Sequence, residues 1–173
     1  MNPPVLRDAD IDDIPALADL GRTSFVAKFG HLYDPVDLNT FLDTTFSDAV
    51  IAAELANPDR LYRIADIDGQ LAAYCKLGLS CPFPEHAHGA RTIELKQLYT
   101  DAGMTGRGLG AMLMDWTMAE AAARGADEIQ LSVWSENTDA QRFYSRYGFA
   151  RVADVHFWVG NHRDDEFLFA KMI

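Results

Sequence analysis

Two rhythms of apolar and polar positions alternate along the chain, and the changes between them mark its elements. Val5–Arg7 reads as a short strand. Asp8, Asp10, Asp12 and Asp13 then suit the cap and first turn of a helix, where negative charge meets unpaired N–H groups, and Ile14, Leu17, Ala18 and Gly21 follow at helical spacing. Asp34-Pro35-Val36-Asp37 joins a capping acid to proline at the first helical position and predicts a second helix. A third spans Asp48–Ala56 and stops at Asn57-Pro58, because proline disfavours helical backbone in the residue before it. Leu61–Ile67 and Leu71–Leu79 are β-rich runs flanking Asp68-Gly69, a pair favoured by the tightest hairpin turns, and are expected to pair antiparallel.

Ser80–Ala90, with Pro82, Pro84 and Gly89, is a loop. Thr92–Tyr99 is a further strand, and the turn Gly106-Arg107-Gly108-Leu109-Gly110 follows it. Leu109, Met112, Leu113, Trp116 and Ala119 trace the expected buried face of the next helix, which Gly125 ends. Ile129–Trp134 reads as a buried strand. Thr138-Asp139-Ala140-Gln141 has the form of a capping box, with Ala140, Phe143, Tyr144 and Tyr147 at helical spacing before Gly148. Ala150–Val159 and Phe167–Met172, joined through Gly160–Asp165, make a closing hairpin. The pattern predicts an α/β domain over residues 1–173, with one mixed, mostly antiparallel sheet of about seven strands and helices on both faces.

Composition narrows the function. No long apolar run occurs and Met1–Leu6 lacks the basic start of a signal peptide, so a soluble, cytoplasmic protein is expected, with no membrane partner. Cys75 and Cys81 show neither a disulfide framework nor metal-ligand spacing. His86 and His88, two apart in a loop, are a poor pattern for metal, and none is expected. The net charge of -11 disfavours nucleic acid and suits a cationic small substrate, although acidity also serves plain solubility.

A glycine turn between strand and helix lets an anion approach backbone N–H groups at the positive end of the helix dipole, so phosphate or pyrophosphate is its natural occupant. Alone it has two owners, because Gly106-x-Gly108-x-x-Ala111 also fits a dinucleotide fingerprint with Glu136 as a ribose ligand. Hairpin-linked strands ahead of the turn speak against that second owner. The Walker pattern fails, since no Lys-Ser or Lys-Thr follows the glycines.

Three segments together resemble the signature of GNAT acetyltransferases: Glu94–Thr100, Thr105–Ala111, and Asn137–Phe149 with its Asn-x-x-Ala-x-x-Phe-Tyr-x-x-x-Gly-Phe spacing. Thr23–Phe46 and the ending from Phe157 to Lys171 are similar to PaiA-like polyamine acetyltransferases. The resemblance implies the GNAT fold, acetyl-CoA as co-substrate, a small primary amine such as a polyamine as acceptor, direct attack in a ternary complex, and a homodimer.

By the same resemblance, Glu94 is the general base and Tyr144 the acid beside the cofactor sulfur. Leu98 and Thr100 would meet the pantetheine arm through their backbone. Thr105, Gly106, Arg107, Gly108, Gly110 and Ala111 would hold the pyrophosphate, and Asn137 and Tyr144 would also contact the cofactor; the plainer readings are a solvated Arg107, a helix cap at Asn137, a packed Tyr144 and an exposed strand glutamate at Glu94. Thr105 departs from the Gln or Arg usual at its position; its hydroxyl still donates to a phosphate oxygen, with shorter reach and no charge.

Phe25, Phe29, Tyr33 and Phe41 are candidates to wall the acceptor, and Asp34, Asp37 or Asp43 to attract a distant ammonium; core packing and helix capping are the plainer readings of the same residues. Acetylation of a protein N-terminus or lysine, and a non-catalytic acetyl-CoA-binding domain, are the alternative functions.

Overall fold

Seven strands form one sheet in the order β1-β2-β3-β4-β5-β7-β6 in a computed structural model that describes residues 1–173. The strands are β1 Val5–Asp8, β2 Arg60–Ile67, β3 Gln70–Gly78, β4 Thr92–Thr100, β5 Glu128–Trp134, β6 Ala150–Val159 and β7 His162–Met172. Every neighbouring pair is antiparallel except β4 and β5. This is the GNAT fold, and the doubly wound parallel sheet that a dinucleotide fingerprint would need is absent.

Helices α1 Ile14–Phe29, α2 Pro35–Thr45 and α3 Asp48–Leu55 cover one face; α4 Leu109–Ala123 and α5 Thr138–Arg146 cover the other. Strand alternation feeds the two cores separately. Tyr62, Ile64 and Tyr74 pack with Leu17, Leu20 and Ile51, whereas Cys75, Leu77, Ile93, Leu95 and Ile129 pack with Leu109, Leu113 and Met114. The Asp68-Gly69 turn forms as expected, with both residues left-handed (φ 55° and 79°) between the paired Ile67 and Gln70. Gly125 and Gly148 end α4 and α5 through Schellman bonds, from Ala126 N–H to the Ala121 carbonyl and from Phe149 N–H to the Tyr144 carbonyl.

Three expectations need correction. In α4 the buried residues are Leu109, Leu113, Met114, Thr117 and Ala121, while Met112 and Trp116 lie at the border and Ala119 is exposed. Apolar residues lie nearly all round this helix, so periodicity left the face ambiguous. Thr117 goes inside because its hydroxyl donates to the Leu113 carbonyl (2.8 Å).

The capping-box reading of Thr138–Gln141 gives way to the other reading of Asn137, which is the cap of α5; its Oδ1 accepts from Ala140 N–H (3.3 Å). Gln141 reaches instead to the Trp134 and Ser135 carbonyls, at 3.2 and 2.9 Å. The closing hairpin is also tighter than read. Val159 pairs with His162 across Gly160-Asn161, so residues 162–165, expected as loop, belong to β7. Polar His162, Arg163, Asp164 and Asp165 hid that extension.

Candidate active site

β4 and β5 pair over only three residues, Thr92–Glu94 against Glu128–Gln130, and then part. Beyond that point β4 is bonded only to β3, and β5 only to β7. A cavity of about 540 Å³ opens in the gap, lined among others by Leu98, Tyr99, Trp134, Asn137, Tyr144 and Glu166. A register shift between Lys76 and Leu77 leaves Lys96 unpaired in β4, which turns the strand as it leaves its parallel neighbour.

The glycine turn lies at the start of α4. Gly106 and Gly108 have φ of 78° and 76°, the left-handed backbone that glycine adopts without steric cost, and a Cβ on either would meet nothing within 4 Å. No backbone N–H from Gly106 to Ala111 finds an acceptor in the protein, and α4 has no side-chain cap. A run of free donors at a helix start, facing open space, is an anion cradle.

Thr105 Oγ1 donates to the Ala102 carbonyl (3.3 Å) and Arg107 is exposed with its guanidinium against Met1 Sδ. Gly110 and Ala111 sit in the first turn of α4, where the Phe143 ring packs 3.7 Å from the place a Gly110 Cβ would take.

Along the gap, Leu98 lines the cavity, and Thr100 lies at the end of β4 opposite Ala73. Asn137 lines it as well, with Oδ1 committed to capping and its amide nitrogen without a partner. The Tyr144 hydroxyl has no hydrogen-bond partner; burial, and secondarily Cys75, push its pKa up to about 12.

The opposite face of the sheet carries an aromatic chamber. Phe25, Phe29 and Phe41 line it together with Phe46 and Phe157, and Phe25 and Phe46 are at the same time buried core, the plainer reading of these aromatics. Phe41 lies 4.6 Å from Phe25 and meets Phe157 edge-on at 5.6 Å. Tyr33 is elsewhere, buried with its hydroxyl donating to Asp164.

The three candidate acids are also engaged outside the chamber. Asp34 caps α2 through Val36 N–H (2.9 Å), Asp37 accepts from Asn161 N–H (3.3 Å), and Asp43 pairs with Arg22 (2.6 Å).

Charges on the chamber wall come mostly in pairs. Glu94 Oε2 and Lys96 Nζ are 2.9 Å apart, opposite Gly78, where a side chain would crowd Lys96 Cδ at 3.2 Å. Lys76 is buried and holds Glu54 at 2.9 Å; desolvation lowers its pKa, and the glutamate opposes that shift. Glu166, which the sequence reading missed, has neither hydrogen bond nor ion pair, and burial, with Asp164 adding repulsion, pushes its pKa up to about 7.

The loop between β3 and β4 closes one side. Gln130 of β5 grips Phe83 from both ends, accepting from its N–H (3.3 Å) and donating to its carbonyl (3.2 Å). Glu128 accepts from the N–H groups of His88 and Gly89, at 2.8 and 2.6 Å. Glu128 and Gln130 are polar positions two apart in an otherwise apolar buried strand, the signal by which such a clamp could have been found in the sequence. His86 and His88 hold no metal cluster, since no three His, Cys, Asp or Glu side chains converge as ligands.

The profile of the Acetyltransferase (GNAT) family matches residues 23–149. The chain belongs to the GNAT acetyltransferase family. An uncharacterized N-acetyltransferase of Mycobacterium bovis is 30% identical over 92% of this chain and 97% of its own.

Among solved structures, the GNAT fold here superposes with a TM-score of 0.79 on PaiA N-acetyltransferase from Thermoplasma acidophilum in complex with coenzyme A; identity is 19%, and 99% of this chain and 100% of that one are covered. A ribosomal-protein-alanine N-acetyltransferase from Brucella melitensis gives 0.76 at 18% identity, covering 98% and 99%. No helix is long and apolar enough to cross a membrane.

Proposed function

We propose that this GNAT protein transfers the acetyl group of acetyl-CoA to the primary amine of a small molecule, by direct attack in a ternary complex. The observation that carries the reading is the gap between β4 and β5, which joins an anion cradle and Tyr144 on one face of the sheet to the aromatic chamber on the other.

The residues present fit acetyl-CoA. The free N–H groups of Gly106, Arg107, Gly108, Gly110 and Ala111 suit its pyrophosphate, with Thr105 and the Arg107 guanidinium at the rim. The unpaired edge of β4 at Leu98 and Thr100 suits the amides of its pantetheine arm, and the Asn137 amide nitrogen is free to donate. When bound, acetyl-CoA supplies the activated thioester. Tyr144 holds a proton at its hydroxyl for the departing sulfur, a task suited to a phenol that burial keeps neutral. Glu94 is the nominee of the family resemblance for the proton of the incoming ammonium; tied to Lys96, it would act through a water.

Aromatic walls and a clamped loop suit a small acceptor, and a polyamine is the candidate that the likeness to PaiA supports. The similarity to a ribosomal-protein-alanine acetyltransferase makes a peptide N-terminus the second class to assay. A cytoplasmic homodimer completes the reading.

Calorimetry with acetyl-CoA, followed by thiol release with spermidine, simple alkylamines and peptides, tests it. Micromolar binding with turnover on an amine is expected, and no heat at millimolar acetyl-CoA would sink it. Tyr144→Phe is expected to lower kcat about ten-fold or more with acetyl-CoA affinity unchanged. Unchanged kcat removes Tyr144 from the chemistry.

A further inference from the structure

Glu166 occupies a distinctive place among the charged groups of the cavity. It lies in β7 opposite Trp134 of β5, and directly opposed residues of an antiparallel pair share a face. Trp134 meets Phe29 of α1 edge-on at 5.6 Å, which fixes that face as the one carrying the aromatic chamber. Glu166 therefore stands on the acceptor side of the gap and Tyr144, in α5, on the other. Tyr99 lies between them, close enough to both for each to disfavour its ionisation.

Pairing sets Glu166 apart from the other carboxylates. Glu94 is held by Lys96 and Glu54 by Lys76, with Tyr62 also donating to Glu54. Glu166 has no cation and no donor. A half-buried carboxylate left without partners beside aromatic rings is an incomplete site, and its missing partner is a cation. Lys28, the unpaired lysine of the lining, is exposed at the end of α1 and does not reach it.

Resting on the acetyltransfer reading above, we propose that Glu166 binds the ammonium of the acceptor amine and takes its proton, leaving Glu94 and Lys96 as a wall pair. The ammonium gives one proton to the Glu166 carboxylate, and the neutral nitrogen then uses its lone pair to form the C–N bond as the C–S bond breaks. As the amide forms, the departing thiolate takes the Tyr144 proton, the second proton lost from nitrogen returns to Tyr144 through solvent, and Glu166 releases the first to solvent, one net proton per turnover. Pairing with the ammonium draws the Glu166 carboxyl back toward the charged form, so the transfer is uphill and acetyl transfer drains the small share of neutral amine it produces. Only one unpaired carboxylate faces the chamber, so the acceptor's reacting end is a single ammonium followed by an apolar stretch.

Two measurements test the assignment on the full chain. In the first, the ¹³C carboxyl signal of Glu166, assigned by its loss in Glu166→Gln, is titrated with and without spermidine or butylamine in the presence of coenzyme A. The amine should lower the midpoint by a unit or more; a signal indifferent to both amines overturns the proposal whatever the turnover.

In the second, Glu166→Gln should lose about 100-fold in kcat/KM and the acidic limb of its pH profile, with acetyl-CoA affinity kept, and Glu166→Asp should recover part of the rate with the limb restored. Lys28, His156, Tyr99, Tyr144 and the Glu54–Lys76 and Glu94–Lys96 pairs line the same cavity, Asp164 lies nearby along β7, and all remain in these variants. A profile unchanged in Glu166→Gln refutes the base role. If the wild type turns over no amine but the carboxyl still answers to one, the transferase reading fails and the ammonium site stands.

Discussion

Tyr147, the residue that closes the C-terminus of α5, donates its hydroxyl to the carbonyl of Ala111 in the first turn of α4, at 3.2 Å. The bond ties the helix that carries Tyr144 to the helix that offers the anion cradle, so both parts of the site move together. Tyr147→Phe should cost about 1 kcal/mol in stability and weaken acetyl-CoA binding a few-fold. Urea denaturation and calorimetry read the two effects, and an affinity change without a stability change would contradict this linkage.

Gly108→Ala isolates the turn. A methyl there collides with nothing, so its effect is conformational: an L residue held at φ 76° costs about 1 kcal/mol. Acetyl-CoA affinity should fall about ten-fold while the folded protein persists. Undiminished binding in calorimetry would place the pyrophosphate elsewhere.

Glu166 makes stability depend on pH in a stated direction. Its folded pKa is raised to about 7, so the folded state binds this proton more tightly than the unfolded state does. Its contribution is thus most favourable below the ordinary glutamate value and is lost as pH rises toward 7. Glu166→Gln removes the penalty and should stabilise the protein by about 1–2 kcal/mol at pH 8, allowing for solvent in the cavity, and by little at pH 4.5. Denaturation midpoints at the two pH values decide the sign.

Lys76 is 3% exposed and depends on Glu54. Glu54→Ala should cost about 3 kcal/mol, because a buried ammonium is left alone, and adding Lys76→Met should recover most of that loss. A double variant as unstable as the single one would mean that the glutamate acts through Tyr62 instead.

Much of this arrangement was legible in the sequence because local rules carried it. Asp68-Gly69 demanded its turn, Pro35 its helix start, and the glycines after β4 their left-handed backbone whatever surrounded them. What stayed hidden depended on tertiary contact. Glu166 sits in phase with buried Leu168 along β7, but the polar stretch before it read as loop and broke the count. Nothing local separates Asp37, which accepts from the hairpin tip, from an acid that greets a substrate. The face of α4 was missed because its apolar residues outnumber those one stripe can hold, and the sheet chose among them.

The parting of β4 and β5 has a mechanical side. Between them the sheet is joined by three residue pairs, so β1–β4 and β5–β7 are two panels meeting at a short seam. A pantetheine arm bonded to the free edge of β4 and packed against α5 would lengthen that seam. Ligand binding should therefore slow amide exchange far from any contact, in β6 and β2 alike, by suppressing the flexing of one panel against the other.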